Sequence, residues 1–311
     1  MMATRPPVDT PRDRTRSGSE VERDFEFTAA DFARIRELIH RRAGISLSDH
    51  KRDMAYSRLA RRLRAVNIDT FREYLDQLES QQNSAEWEAF TNALTTNLTA
   101  FFRESHHFPI LADFAKHRPQ PFSVWCSAAS TGEEPYSIAM TLMETLGDSA
   151  ARQCSVIATD IDSQVLQKAD AGVYSLDSVK ALGAERLKRF FLKGTGAHAG
   201  FVRIRPELRA MVKFEKLNLT DAKYALNGQF DAIFCRNVMI YFDKPTQAQV
   251  LARFEPLVKS GGLLFAGHSE NFTYVSQAFT LRGQTVYSLS RDTNTPAGKA
   301  NAGKVLAGEL A

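Results

Sequence analysis

Beyond Phe122, short apolar runs of strand length alternate with longer stretches of helical periodicity, and no other feature restricts the fold as much. The spacing predicts strands at 122–126, 155–159, 212–217, 230–235 and 262–266, the last after a turn at Ser260-Gly261-Gly262. It also predicts a helix over 133–146 and a closing hairpin, 279–281 with 285–289, around Arg282-Gly283-Gln284. Strands alternating with helices form a mostly parallel sheet covered on both faces, an α/β domain. The stretch 172–210 breaks the rhythm. A helix carrying Leu187, Phe190 and Phe191 leads into strand-like flanks around a glycine-rich turn at 194–200, which predicts a small inserted β-subdomain.

Upstream, the pattern is helical. Thr28 can cap a helix, Asp31 holds the capping-box position, and Phe27 and Phe32 have hydrophobic-staple spacing. Phe32, Ile35, Leu38 and Ile39 then share a face, and Gly44 is the expected stop. A second helix follows Ser48, with Ala55, Leu59, Leu63 and Val66 on one stripe. Phe71, Tyr74, Leu75 and Leu78 mark a third, and Trp87, Phe90 and Leu94 a fourth. The expected division is a helical domain at 25–90 and an α/β domain at 91–290, flanked by disordered tails at 1–24 and 291–311. A helical domain of about 65 residues has a core only modestly stable alone, so it is expected to lean on its neighbour.

No uninterrupted apolar run approaches the ~18–20 residues needed to span a bilayer. The N-terminus, with Arg5, Pro6, Pro7, Pro11 and Arg12, lacks the apolar core of a secretory signal. A cytoplasmic monomer is expected. Cys126, Cys154 and Cys235 lie in or beside apolar runs and are expected to be small buried hydrophobes. No Cys/His spacing resembles a zinc site, and no metal is expected. The net charge of +4 conceals a local excess: Lys51, Arg52, Arg58, Arg61, Arg62 and Arg64 are opposed only by Asp53. Lys51, Arg58 and Arg62 fall on one helical stripe with Arg61 beside it, either a solvated basic face or one that meets an acidic partner.

In an open parallel sheet, ligands bind beyond the carboxyl ends of the strands. After the first strand stands Ser127-Ala128-Ala129-Ser130-Thr131-Gly132-Glu133-Glu134, whose small residues let a ligand approach the backbone. The turn has no Walker lysine and is not GxGxxG. Its two carboxylates suit a ligand with a positive end, such as a methionine ammonium, or simply complement a helix dipole. Asp160 ends the second strand, where it can accept ribose hydroxyls or cap a helix, although Asp162 is better placed as the cap. Together these features point to an adenosyl ligand.

Longer motifs then carry a resemblance. They are Thr95-Thr96-Asn97-Leu98-Thr99-Ala100-Phe101-Phe102-Arg103-Glu104 with His106-His107-Phe108, and Trp125 through Ser137. Ala158-Thr159-Asp160-Ile161-Asp162, Phe234 through Phe242, and Gly267-His268-Ser269-Glu270 follow in order. Over roughly residues 25–289 the chain resembles the CheR family of chemoreceptor glutamate methyltransferases. The resemblance implies a Rossmann-like methyltransferase sheet with an inserted β-subdomain and an N-terminal all-helical domain, using S-adenosylmethionine and releasing S-adenosylhomocysteine.

It also implies a site. Asn97, Thr99 and Arg103 would meet the methionine end of the cofactor, Glu134 its amino acid moiety and Asp160 the ribose. Asn218 and Leu219 would flank the adenine, with Arg236 and Asn237 completing the wall. Arg103 and Tyr241 would stand nearest the transferred methyl, though Arg103 could be a structural ion-pair partner of Glu104 or another acid and Leu219 simply core. His106, His107 and His268 are expected to be structural, because a glutamate carboxylate is already a nucleophile at neutral pH. The implied partners are cytoplasmic domains of methyl-accepting chemoreceptors, with recruitment to their membrane arrays and no nucleic acid. Lys51, Arg58, Arg61 and Arg62 would read the acidic receptor face; Lys193 and Arg203, flanking the glycine turn, would hold a receptor's C-terminal peptide by strand addition. Two other readings compete. A nucleic-acid methyltransferase is disfavoured because Arg236-Asn237-Val238-Met239 replaces the Asn/Asp-Pro-Pro-aromatic motif. A cofactor-binding sensor or scaffold without turnover is the second.

Overall fold

The computed structural model describes residues 24–81 and 84–293; the tails expected at 1–24 and 291–311 lie almost wholly outside the described residues. Four helices form the first domain: α1 (Ala29–Ala43), α2 (Arg52–Val66), α3 (Phe71–Ser80) and α4 (Ala85–Leu94). At the start of α1 the Thr28 hydroxyl accepts from the Asp31 N–H while the Asp31 carboxylate accepts from the Thr28 N–H, the reciprocal box that satisfies two orphan donors. Gly44, at φ 68°, ends the helix in the left-handed region. The apolar stripes of all four helices meet in one core, with Ile35, Leu59, Leu75 and Phe90 fully buried. The boundary expected between residues 90 and 91 falls inside α4; the chain leaves helix only after Leu94.

After α5 (His107–Lys116), strands β1 (Phe122–Cys126) and β2 (Cys154–Asp160) flank α6 (Glu133–Leu146) and the short α7 (Ala150–Gln153). Next come α8 (Ser163–Ala171), β3 (Val173–Ser175), α9 (Leu176–Val179), α10 (Ala184–Phe190), β4 (Phe191–Lys193), β5 (Phe201–Ile204) and α11 (Pro206–Arg209). The chain finishes with β6 (Val212–Lys216), β7 (Phe230–Cys235), α12 (Lys244–Phe254), β8 (Val258–Ala266), β9 (Phe279–Gly283), β10 (Val286–Leu289) and α13 (Ser290–Thr293).

The seven-stranded sheet has the order β6-β2-β1-β7-β8-β10-β9, and β10 alone runs against the rest. The chain builds outward from β1 through β2 to β6, then returns to place β7 on the other side of β1. That reversal opens a crevice at the carboxyl ends of β1 and β7. Alternate side chains feed two cores: Trp125 and Ile233 face α12 and the helical domain, while Cys126 and Phe234 face α5 and α6. β3, β5 and β4 form the inserted antiparallel sheet, to which Val173–Ser175 adds an edge strand too short to carry an alternation signal.

Other boundaries also differ from the sequence reading. Ser260-Gly261-Gly262 does not precede the fifth parallel strand but is a bulge within β8, where the pairing jumps from Phe230–Val258 to Ala232–Leu263. In α13, Asp292 accepts from the Gly261 N–H at 2.7 Å, so ordered structure runs three residues into the expected C-terminal tail. All three cysteines are free and buried. Among the described residues, no helix is long and apolar enough to cross a membrane, and no cluster of His, Cys, Asp or Glu could hold a metal.

Candidate active site

The crevice is a cleft of about 500 Å³, within the range of small-molecule sites. All nine residues assigned to the cofactor line it, as do Tyr241 and Lys51. The turn after β1 forms its floor. Backbone bonds from Ser127 N to Phe234 O and from Ala129 N to Thr159 O, both 2.8 Å, stitch this turn to the neighbouring strand ends. Gly132, at φ 99°, is required there: a Cβ would stand 2.7 Å from the Tyr174 hydroxyl oxygen and 2.9 Å from the Ala169 methyl.

Asp160, at the end of β2, accepts from Ser130 N at 2.8 Å and from Asp162 N at 3.0 Å. Burial outweighs those bonds and pushes its carboxyl up to about 6. Asp162 caps α8 by accepting from Gln164 N and also takes a hydrogen bond from the Asn97 amide at 3.0 Å. Ser130 Oγ donates to Asn97 O at 3.0 Å, so the interdomain segment is pinned against both strand ends. Thr99 lines the cleft beside it, and Arg103 donates to Leu98 O at 2.8 Å.

Arg236 organises the far wall. Its side chain is wholly buried and reaches Glu134 at 2.6 Å, Glu104 at 3.3 Å and the Arg103 carbonyl. Burial pushes the Glu134 carboxyl up, and Arg236 pulls it back. Burial would also raise Glu104, but hydrogen bonds from His268 and Asn237 and the Arg236 charge hold it down at about 2. Glu104 thus pairs with Arg236 and His268 rather than Arg103. Asn237 sits at φ 57°, its amide on Glu104 at 3.0 Å. Glu270 supports that loop by accepting from the backbone N–H groups of Asn237, Val238, Met239 and Gly267 at 2.6–3.0 Å. His107 is buried, its Nε2 on Gln284 O at 2.9 Å, consistent with a structural role.

The basic residues separate. Lys51 is exposed at the cleft, and Arg61 is exposed on α2. Arg58 instead donates to the carbonyls of Ala93 and Thr95, and Arg62 forms a two-pronged pair with Glu86. Neither lines the cleft, nor do Lys193 and Arg203, which are exposed on β4 and β5. Sequence reasoning missed the wall supplied by Ile45, Ser46, Leu47, Ser48 and Met54 of the helical domain, and the roles of Glu104 and Glu270. Both glutamates stand within the motifs, yet Asn237, which both of them hold, lies 33 residues from Glu270 and 133 from Glu104.

A small-residue floor, acidic groups at the end of β2 and the start of α6, amide and guanidinium groups opposite, and apolar Ile161, Leu217 and Leu219 suit an adenosyl ligand with an amino acid tail. The fold and site define a Rossmann-like S-adenosylmethionine-dependent methyltransferase. Residues 97–288 match the family described as CheR methyltransferase, SAM binding domain, and residues 30–95 match CheR methyltransferase, all-alpha domain. The chain belongs to the CheR methyltransferase family. It is 62% identical over 263 residues to a chemotaxis protein methyltransferase of Klebsiella aerogenes, covering 85% of this chain and 90% of the relative. The chemotaxis protein methyltransferase of Escherichia coli is 59% identical over 263 residues, with 85% and 92% covered. Chemotaxis protein methyltransferase 2 of Pseudomonas aeruginosa is 51% identical over 268 residues, with 85% and 95% covered.

Proposed function

We propose that the chain transfers the methyl group of S-adenosylmethionine to glutamate side chains of methyl-accepting chemoreceptors, giving methyl esters for chemotactic adaptation. The supporting observation is what lines the cleft. Among the described residues no histidine does, Glu134 is held by Arg236, and Asp160 is held by backbone N–H groups. An acceptor that first had to lose a proton would find no free base, whereas a glutamate, with an ordinary pKa near ~4.3, arrives as carboxylate.

The bound cofactor supplies a methyl carbon made electrophilic by a positively charged sulfur. Asn97, Thr99 and Arg103 hold its methionine end, Glu134 its ammonium and Asp160 the ribose hydroxyls. Asn218 and Leu219 flank the adenine, and Arg236 and Asn237 close the wall. Arg103 and Tyr241 aim the carboxylate oxygen at the methyl: the guanidinium holds it without exchanging a proton, and the phenol orients it by a hydrogen bond. Such alignment contributes up to ~7–11 kcal/mol in the best intramolecular cases.

Lys51 and Arg61 face the acidic receptor surface, while Arg58 and Arg62 brace the helix that carries them. Lys193, on the β4 edge of the inserted sheet, and Arg203, on the face that carries exposed Val173, Leu192 and Phe201, hold a receptor's C-terminal peptide that adds as an edge strand, raising local concentration. The protein works in the cytoplasm as a monomer recruited to receptor arrays.

Incubation with methyl-tritiated S-adenosylmethionine and receptor-containing membranes tests this reading. Volatile label released by mild alkali is the expected result. Base-stable label means a nitrogen or other acceptor, and absent label across a receptor panel, with cofactor bound, means a sensor without turnover.

The raised Asp160 carboxyl sets a pH dependence. Its folded value of about 6 exceeds the 3.8 of the unfolded chain, so this group stabilises the cofactor-free fold fully below 3.8, and the contribution is lost as pH rises through 6. Ribose hydroxyls need the ionised form. The cofactor dissociation constant, titrated from pH 7.5 to 5, is therefore expected to rise as pH falls through about 6. Asp160→Asn is expected to flatten that rise while weakening binding throughout.

A further inference from the structure

The end of α1 and the chain just beyond it are fastened to two loops that follow strands of the α/β domain. The Asn218 amide donates to Arg42 O at 2.8 Å, and Ser46 N donates to Tyr241 O at 2.8 Å. Ile45 forms an antiparallel bridge with Phe242 between those bonds. Alongside, His40 Nε2 lies 2.9 Å from a carboxylate oxygen of Asp243, whose other oxygen caps α12 through Thr246 N at 2.8 Å. One short segment of the helical domain therefore touches the residue assigned to the adenine and the residue assigned to the acceptor.

Gly44 is the pivot of that segment, and two requirements meet there. Its φ of 68° is a common helix stop, which asparagine also tolerates. Its surroundings are stricter: a Cβ would stand 2.6 Å from Thr220 Cγ2 and 3.0 Å from Thr246 Cγ2. Thr220 cannot simply rotate away. Its hydroxyl donates to Asn218 Oδ1 at 2.8 Å, and its N–H reaches the same oxygen at 3.0 Å. Turning the methyl aside breaks the hydroxyl bond that orients Asn218, and keeping it in place pushes segment 42–46 off Tyr241.

We infer that Gly44 and Thr220 are positioning residues for methyl transfer, through which the all-helical domain sets Asn218 and Tyr241 and forms part of the site rather than only a receptor-docking module. The inference rests on the assignment of Asn218 to the cofactor and of Tyr241 to the acceptor. It makes docking of the two domains a condition of full cofactor affinity, even with no receptor present.

The test uses the full chain with Gly44→Ala and the double variant Gly44→Ala/Thr220→Ser, where serine keeps the hydroxyl and removes the clashing methyl. Cofactor Kd is measured by calorimetry without receptor, kcat and KM with receptor membranes, and Tm by thermal melting. Gly44→Ala is expected to weaken cofactor binding and lower kcat, each about tenfold, with receptor KM nearly unchanged. The double variant is expected to recover most of the Kd loss. Its Tm stays low, because alanine keeps the backbone strain at positive φ in both proteins. A Gly44→Ala protein that melts earlier but keeps Kd and kcat overturns the inference and leaves Gly44 as a helix stop. Failure of Thr220→Ser to restore binding overturns the role of Thr220. If the wild-type protein yields no base-labile ester, the carboxylate reading falls, while the receptor-free Kd comparison still decides the coupling of Gly44 to the cofactor site.

Discussion

Arg236→Met is expected to abolish cofactor binding and to lower Tm by about 5–8 °C. The guanidinium is wholly buried and sits between two nearly buried carboxylates, Glu134 at 2.6 Å and Glu104 at 3.3 Å. Removing one partner of a buried pair costs about 3–5 kcal/mol, because the remaining charge is left without compensation. With an unfolding entropy of about 2.1 cal/mol/K per residue, a chain of 311 residues shifts by about 1.5 °C per kcal/mol, large enough to read in a thermal melt. Arg236→Lys is expected to rescue little, since one ammonium cannot span two carboxylates and the Arg103 carbonyl. Adding Glu134→Gln to Arg236→Met is expected to recover stability, because Glu104 keeps its bonds from His268 and Asn237. It does not recover activity, since the cofactor then lacks both groups. A Tm loss under about 2 °C in the single variant would show that the network contributes little.

Arg103→Ala is expected to lower kcat/KM for receptor methylation by about 10²–10³-fold, the size seen when one preorganised donor at a reacting oxygen is removed. The side chain is half-buried and makes one bond, to Leu98 O, so the fold should survive with Tm nearly unchanged. Separate readouts divide its two assigned roles. A cofactor Kd that rises by the whole factor places Arg103 on the methionine end alone, whereas a fall in kcat at saturating cofactor places it on the acceptor. Tyr241→Phe, which removes only a hydroxyl, is expected to cost about tenfold in kcat with Kd unchanged. Unchanged turnover in both variants would remove these two residues from the chemistry.

How much of this was legible beforehand differs between elements. The bounds of β1, α6 and β7 coincide with those predicted, because a short apolar run, or a longer one bounded by Gly132 and Gly147, carries its own signal. The strand-end residues of the cleft were legible as well, since strand ends in a parallel sheet converge by topology, whereas the wall from Ile45 to Met54 was not. The Ser260-Gly261-Gly262 bulge read as a turn, because glycine punctuation looks the same whether the chain reverses or only loses register. Arg58 and Arg62 share a helical stripe with Lys51, yet both are spent on partners 24–37 residues away.

Local periodicity and capping in the sequence determined the four helices, the alternation of strands and helices, and the turn chemistry of the cleft floor, because those signals act over a few residues. Only the tertiary structure decided that Arg236 binds two glutamates at once, that Glu270 holds the Asn237 loop, and that Gly44 has no room for a side chain. A helical or strand period states which residues share a face. What stands opposite that face depends on how distant segments dock, and a buried charge or a missing Cβ acquires its meaning only from that partner.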